Sequence, residues 1–283
     1  MMGRLAAAMG LLAAWAAPAH AGVVLLGSDH APELKETIEA ARQTAPAFSF
    51  ADEDSPDAAE QLRHADVILA VGVRALVMAR TVAPDKPVVY AMVPAAEAQP
   101  SKNVTGVALE VPAYAELAQW KQLRFDGLRV AFVYDKAATV LLADANKAAA
   151  SLGMTLTARA VVDPARVESV VAELAPKVDA VWLVVALPAS TAAKWSGKVA
   201  LIGSDEKSTA AGALFSLAPD TRDIGRRAAR LALGIAGRAP ADRLPVPPPA
   251  TSPGALSLNA ATAQALGIEL PDTIVKKAHK VFH

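Results

Sequence analysis

Short apolar runs alternate with amphipathic stretches along most of the chain. Residues 23–27 form the first apolar run, and residues 32–43 after it have the spacing of an amphipathic helix. The runs at 65–72 and 87–93 are almost continuously apolar and are bounded by turn residues, which is typical of strands buried on both faces. This alternation predicts an α/β fold with mainly parallel sheets and helices on both faces.

The alternation starts a second time beyond Gly106. The elements it predicts are a helix around Tyr114, Leu117 and Trp120, a helix through Leu141, Ala145, Ala148 and Leu152 that stops at Gly153, and strands at 129–134, 154–161, 180–186 and 199–203. Because the same order of elements is used twice, we expect two similar lobes.

The last quarter of the chain adds a third group of elements. Residues 212–214 are predicted to be a strand, and a helix with an acidic start is predicted over residues 220–235. The proline-rich stretch 245–253 excludes a central strand or a helix and is predicted to be an extended crossover between the lobes. Two short helices, divided by Gly267 and Pro271, are expected to close the chain.

The first residues have the pattern of an export signal. Arg4 is followed by an apolar run over residues 5–17 and then by small residues. This run is too short to span a membrane, so residues 1–21 are predicted to be a signal peptide cleaved near Ala21-Gly22. A buried N-terminal helix is the alternative. With no Cys to carry a lipid anchor, the mature protein is expected to be free in the periplasm and not a lipoprotein.

Composition and charge narrow the classes of partner. The chain has 283 residues, 53% of them hydrophobic, which is enough for a large core in two lobes. Its 28 Lys and Arg residues balance 28 Asp and Glu residues, so the formal net charge is zero. No excess of positive charge is present to hold nucleic acid or an anionic membrane.

The sequence lacks the common catalytic and metal-binding patterns. It contains no Gly-x-Ser-x-Gly elbow, no glycine-rich dinucleotide or phosphate loop and no His-Glu-x-x-His pair. The histidines after the leader are His30, His64, His279 and His283, and their spacing matches no metal site. We therefore expect no enzyme activity, no cofactor and no metal. The acidic run 52–54 is interpreted as a solvated loop.

Several short segments occur in an order that matches one known family. The segments are Asn103-Val-Thr-Gly-Val107, Leu128-Arg-Val-Ala-Phe-Val-Tyr134, Val178-Asp-Ala-Val181, Ile202-Gly-Ser-Asp-Glu206, Gly212-Ala-Leu214, Asp223-Ile-Gly-Arg226 and Ala263-Gln-Ala-Leu-Gly-Ile-Glu-Leu-Pro271. Each is weak alone, but their order over nearly all of the mature chain resembles the ABC transporter substrate-binding protein family that includes tryptophan-type binding proteins.

The resemblance implies the type I periplasmic-binding-protein fold, in which two Rossmann-like lobes are joined by a three-crossover hinge. The N-terminal lobe would comprise residues 22–108 and 217–238, and the C-terminal lobe residues 109–216 and 239–283. The three hinge segments are expected near residues 107–112, 214–219 and 244–249.

Ligands of such sheets bind outside the carboxyl ends of the strands. The candidate ligand-binding residues at these ends are Ser28, Asp29, His30, Arg74 and Pro94 from the first lobe, and Tyr134, Asp135, Pro188, Ser204 and Asp205 from the second. A Ser hydroxyl with backbone amides at a helix start can hold a carboxylate, an Arg can pair with one, and a Tyr ring can stack on a ligand.

Most of these candidates also have an ordinary structural interpretation. Ser28 or Asp29 can simply cap the first helix, and Asp135 and Asp205 can cap later ones. Arg74 can be a solvated side chain in the first turn of its helix. The sequence leaves both interpretations open.

Two loops depart from the family pattern, and both have become apolar. Relatives usually carry Asp-Pro after the fourth strand, where this chain has Val93-Pro94, and a polar or acidic pair where it has residues 186–189. The crossover at 186–198 is also short. Among the tryptophans, Trp195 is the one most expected to line a pocket.

The resemblance implies a periplasmic solute-binding component of an ABC import system that captures a small organic solute, amino-acid-like or aromatic, in the interlobe cleft. The expected partners are that ligand and an ABC permease with its ATPase at the inner membrane, without nucleic acid. The protein itself is expected to be a monomer. Because of the altered loops, the alternative is a degenerate binding-fold sensor, or an accessory protein of an envelope complex, with no transported solute.

Overall fold

Two sheets flanked by helices make up the protein, as seen in a computed structural model that describes residues 22–239 and 250–283. The first sheet has five strands, all parallel, and the second has seven, of which one neighbouring pair is antiparallel. The predicted α/β fold with mainly parallel sheets is confirmed. The predicted signal peptide and the third predicted hinge, residues 244–249, lie outside the described residues.

The first half of the chain builds the five-stranded sheet. Its elements are β1 Val23–Gly27, α1 Pro32–Thr44, β2 Ser49–Asp52, α2 Ala58–His64, β3 Val67–Val71, α3 Val73–Val82, β4 Val88–Ala91, α4 Ala95–Ala98 and β5 Val104–Gly106.

The second half builds the seven-stranded sheet. Its elements begin with α5 Ala113–Leu123, β6 Arg129–Tyr134, a 3-10 helix Ala137–Leu141, α6 Leu142–Ser151, β7 Thr155–Ala160, a 3-10 turn Pro164–Arg166, α7 Val167–Leu174, a 3-10 turn Ala175–Lys177, β8 Ala180–Leu183, α8 Ala189–Trp195, β9 Ala200–Gly203, α9 Glu206–Ala210 and β10 Phe215–Ala218. The chain ends with α10 Thr221–Ala236, β11 Ala255–Asn259, α11 Ala260–Ala265, α12 Asp272–Val275 and β12 Lys280–Phe282.

The two sheets share one winding order. The first runs β2-β1-β3-β4-β5, and the second runs β7-β6-β8-β9-β10, followed by antiparallel β11 and then β12. The order of strands therefore repeats, as the repeated alternation in the sequence predicts. In both sheets the connections between strands cross the faces of the sheet and cover the central strands on both sides. β3 and β8 are therefore fully buried.

Helix α10 belongs to the first sheet although it lies late in the chain. It packs along α1, and Ile224, Ala228 and Ile235 join the core formed by β1, β3 and β4. The two helices touch so closely at Gly225 that a Cβ there would overlap the carbonyl oxygen of Thr37. The side chain of Asp220 caps the helix by accepting a hydrogen bond from the amide of Asp223 at 2.8 Å.

The chain passes between the sheets in the segment after β5 and again between β10 and α10. The return from α10 to β11 includes residues outside the described part, but two contacts fix the described residues just before β11. Ala250 pairs with Val107, and the Ser252 hydroxyl donates to Asp223 on α10 at 2.9 Å. The assignment of residues to two lobes stays a prediction, and these contacts show the elements on which it depends.

The structure corrects three details of the sequence interpretation. The strand predicted at residues 212–214 begins only at Phe215, after Gly212 in a turn. The acidic run 52–54 is not wholly solvated, because Asp52 ends β2 and the side chain of Glu53 is only 6% exposed. Helix α1 begins at Pro32 with Ala31 as N-cap and without a side-chain cap, so neither Ser28 nor Asp29 caps it.

No helix among the described residues is both long and apolar enough to serve as a membrane span.

Candidate functional site

A cavity of about 480 Å³ lies where the carboxyl end of the first sheet faces the second. Pro94, Ala96 and Glu97 at the start of α4 form one wall, and the crossover residues Leu109, Glu110 and Val111 form its floor. The opposite wall comes from α5, the 3-10 helix, β8 and β10. Its volume suits a small organic molecule.

A hydrogen bond between the crossover and α4 fixes the first wall. Both carboxylate oxygens of Glu110 accept from the backbone amide of Ala95, at 2.9 and 3.1 Å, which joins the crossover to the first turn of α4. Two residues before Pro94, the chain turns through Met92 with φ of 56°. A non-glycine residue in this left-handed region costs on the order of 1 kcal/mol. Packing of Met92 against the core between the first sheet and α10 must offset this strain.

The opposite wall is mainly apolar. Trp182 on β8 is buried, and its ring lies against Phe132 with centroids 4.6 Å apart. Val184, two residues after Trp182, and Leu217 on β10 complete this apolar wall. A ligand seated here therefore meets an aromatic and aliphatic face on the side of the second sheet.

Glu116 is the most unusual residue of the lining. It lies in the first turns of α5 and is only 5% exposed, and its Oε2 has no hydrogen-bond partner. Burial raises its pKa well above the ordinary range of a glutamate, because the charged form loses its hydration. Burial therefore favours the neutral form of this carboxyl, and its Oε2 lies without a hydrogen-bond partner in a mainly apolar setting.

Two other carboxylates of the lining cap the starts of helices. Asp135 accepts from the amide of Ala138 at 2.9 Å, and Asp144 accepts from the amide of Ala113 at 3.3 Å. Glu97 is exposed at the rim. With Glu110 and Glu116, five acidic residues line the cavity, whereas no Lys, Arg or His from the described residues does.

A larger depression, of about 570 Å³, lies beside β7 and α7. It is lined by residues of the second sheet's side alone, and its Arg159 and Glu173 pair with each other at 2.7 Å. Because it is lined from one side only and this Arg–Glu pair is already formed, it is a weaker candidate for a ligand site than the cavity between the sheets.

The comparison with protein families decides the identity of this fold. The model of the family described as ABC transporter substrate binding protein matches residues 35–282. The chain belongs to this family. Its members bind solutes for ABC transporters, act outside the cytoplasm and are generally not enzymes. A comparison with curated proteins finds no significant match.

Solved structures of substrate-binding proteins share the fold. The ABC domain from Streptococcus pneumoniae in complex with L-Trp is 18% identical, with 93% of this chain and 100% of that one covered and a TM-score of 0.57. The ligand-free, open form of a substrate-binding protein with adhesive properties from Clostridium difficile is 18% identical, with 92% and 99% covered and a TM-score of 0.70. These likenesses confirm the type I periplasmic-binding fold that the sequence predicts.

Three of the ten sequence-predicted site residues line the cavity of this family member. They are Pro94, Asp135 and Ser204. Asp135 reaches the cavity and also caps the 3-10 helix, so its two interpretations describe one residue. A ligand contact by any of the three stays a prediction.

The candidates after β1 lie outside the cavity. Ser28 is buried, and its Oγ accepts from the amide of His30 at 3.3 Å. Asp29 forms an exposed ion pair with Arg42 at 3.8 Å. The His30 side chain is 85% exposed and lies 3.9 Å from a carboxylate oxygen of Asp52.

Four further candidates also lie outside it. Arg74 is 72% exposed and is held by Asp54 at 2.7 Å and by Glu53. Tyr134 stacks on Phe132, with ring centroids 5.3 Å apart.

The last two flank helix starts. Pro188 is exposed before α8, and Asp205 caps α9 by accepting from the amide of Ser208 at 2.7 Å.

Sequence reasoning missed Glu116, Glu110, Asp144 and Trp182. A signal for Glu116 was present, because it falls with Ala113, Leu117 and Trp120 at the i, i+3, i+4, i+7 positions that face a core. A carboxylate inside such a stripe is buried unless the helix turns away. Trp182, and not Trp195, lines the cavity, since the alternation of side chains along β8 directs it to that face.

Proposed function

We propose that this protein is the periplasmic solute-binding component of an ABC import system and that it captures one small organic, amphipathic or aromatic solute in the cavity between its sheets. The observation that carries the proposal is that elements packed on both sheets, together with the crossover after β5, line one cavity of about 480 Å³. Its aromatic wall at Trp182 suits a ring or an alkyl chain, and its carboxyl groups supply polar contacts.

Capture is coupled to closure in this proposal. Helix α4 of the first lobe contacts the 3-10 helix of the second, so a ligand that touches both walls gains contacts as they approach. Only such a difference in contacts can favour the closed state over the open one. The protein is exported to the periplasm with cleavage of its signal peptide near Ala21-Gly22, and the closed monomer docks on the permease.

Thermal unfolding in the presence of a broad solute library tests the proposal. A solute at about one hundred times its dissociation constant adds roughly 2.7 kcal/mol to the free energy of unfolding, and the melting temperature rises accordingly. We expect Ala96→Trp, which fills the cavity from α4, to abolish the shift. The control Ala95→Trp changes the neighbouring exposed position, whose side chain does not line the cavity, and should retain the shift.

The absence of any shift across the library, with the native circular dichroism spectrum retained, would contradict solute capture. That outcome would favour the accessory protein without a transported solute. An equal shift in the native protein and in Ala96→Trp would place binding elsewhere on the molecule.

A further inference from the structure

All of the described ionisable side chains that line the cavity are acidic. Five of its residues are acidic, and no cationic side chain from the described residues lines it. The chain as a whole is neutral, with 28 basic and 28 acidic residues, so this lining does not simply reflect composition. A recess with apolar walls and charges of one sign attracts ligands of the opposite sign.

One backbone amide at each of three helix starts around the cavity is already occupied. Glu110 takes the amide of Ala95 at the start of α4, and Asp144 takes the amide of Ala113 at the start of α5. Asp135 in turn takes the amide of Ala138 in the 3-10 helix. Helix starts commonly bind carboxylates and phosphates, and at these three a carboxylate of the chain itself already takes one of the donors.

Glu116 adds an independent observation that points to a ligand. Glu116 is only 5% exposed and lines the cavity, and its Oε2, which is closed to solvent, has no hydrogen-bond partner. Buried polar groups are nearly always hydrogen-bonded, so this carboxyl gains a partner if a ligand in the cavity turns it toward a donor. An ammonium or guanidinium group donates several hydrogen bonds and carries the compensating charge.

We infer that the cavity takes an organic cation that carries an ammonium or guanidinium group on an apolar or aromatic body and has no carboxylate, with Glu116 as its counter-ion. The inference rests on the proposed function and names the class of its solute. The body of the ligand lies against Trp182, whose ring also attracts cations. A free amino acid fits less well, because its carboxylate finds no free cationic partner in the described lining.

Binding of such a ligand releases a proton. Burial raises the pKa of Glu116 and so favours the protonated carboxyl in the free protein. When the cation arrives, the carboxyl ionises to pair with it and the proton passes to the solvent. The other titratable groups of the lining are Asp144 on α6, Glu110 in the crossover, Asp135 after β6 and Glu97 on α4, and all of them are acidic.

Calorimetric titration with matched compounds tests the inference. The first set, on an indole skeleton, is tryptamine, L-tryptophan and indole-3-propionate, and the second is phenethylamine, L-phenylalanine and 3-phenylpropionate. We expect each amine to bind at least about tenfold more tightly than its amino acid, and the carboxylates to bind least. Titrations in buffers with different ionisation enthalpies should show net proton release with the amines.

Two variants of the intact protein separate charge from shape. Glu116→Gln keeps the volume of the side chain and removes its charge, so amine affinity should fall at least about tenfold and proton release should vanish. Glu53→Gln is the matched control, since Glu53 also has a buried, unpartnered oxygen and a pKa raised by burial but lies outside the cavity. It should bind amines as the native protein does.

The outcomes distinguish this inference from the proposed function. Tighter binding of the amino acids or carboxylates, or amine binding that is unchanged in Glu116→Gln, would overturn the cation class and leave solute capture standing. A failure of every compound in both sets and in the broad library would overturn both.

Discussion

The unpaired carboxyl of Glu116 affects stability as well as binding. Burial raises the pKa of Glu116, so between the ordinary carboxyl pKa and this raised pKa the unfolded chain has lost the proton while the folded protein still holds it. The folded state therefore binds more protons than the unfolded state, and stability falls as the pH rises through the interval between the two pKa values. Below that interval both states are protonated, and the contribution is fully present.

Glu116→Gln should flatten this dependence. We expect the variant to be more stable than the native protein near neutral pH, with the difference shrinking as the pH approaches the ordinary range of a carboxyl group. Urea denaturation of the ligand-free proteins at a series of pH values measures it. Glu97→Gln, an exposed residue of the same lining, is the control and should follow the native profile. A variant slope equal to the native slope would contradict the argument.

The packing of helix α10 depends on the absence of a side chain at one position, Gly225. Its contact face against α1 requires glycine at position 225, because any Cβ would overlap the Thr37 carbonyl oxygen, which belongs to a rigid helix backbone. Gly234 lies in the same helix with open space around its would-be Cβ. The two glycines are therefore opposite cases within one helix.

Gly225→Ala should destabilise the protein by about 1–3 kcal/mol, because the helices must separate to admit the methyl group. Gly234→Ala should stabilise it by about 0.5–1 kcal/mol through helix propensity alone. Urea denaturation of both variants gives the two values. A loss of stability in Gly234→Ala equal to that in Gly225→Ala would show that the close approach is not the cause.

At the scale of the whole molecule, the two walls of the cavity are joined by the crossovers after β5 and after β10. In the proposed function, ligand binding draws α4 toward the 3-10 helix and makes the particle more compact. We expect the radius of gyration measured by small-angle X-ray scattering to fall when saturating tryptamine is added. Ala96→Trp should show no change on addition. An unchanged radius in the native protein, despite calorimetric binding, would argue against closure.

Much of the fold could be predicted from the sequence because its central strands are buried on both faces. β3 and β4 appear as unbroken apolar runs, and the acidic start and regular face of α10 locate that helix. β2 gave no such signal, since this edge strand is short and partly exposed. Its position became evident only from its pairing with β1.

The cavity was harder to predict, because its lining depends on which elements meet in space. Ser204 comes directly after β9 and Pro94 three residues after the end of β4, so the rule for carboxyl ends of parallel strands finds both. Glu116 and Asp144 lie on helices, and their place at the cavity depends on how α5 and α6 pack on the second sheet. Sequence spacing alone carries no information about that packing.

The late position of α10 constrains the order in which this protein can fold. The face of the first sheet that α10 covers is synthesised before residue 108, yet its cover is complete only at Ala236. The last strands of the second sheet, β11 and β12, follow later still. A chain synthesised only as far as residue 108 must therefore leave Val89 and Ala91 uncovered, and this face of the first sheet closes only when α10 is available. Such long-range dependence favours slow, concerted folding after synthesis over sequential folding of one lobe and then the other.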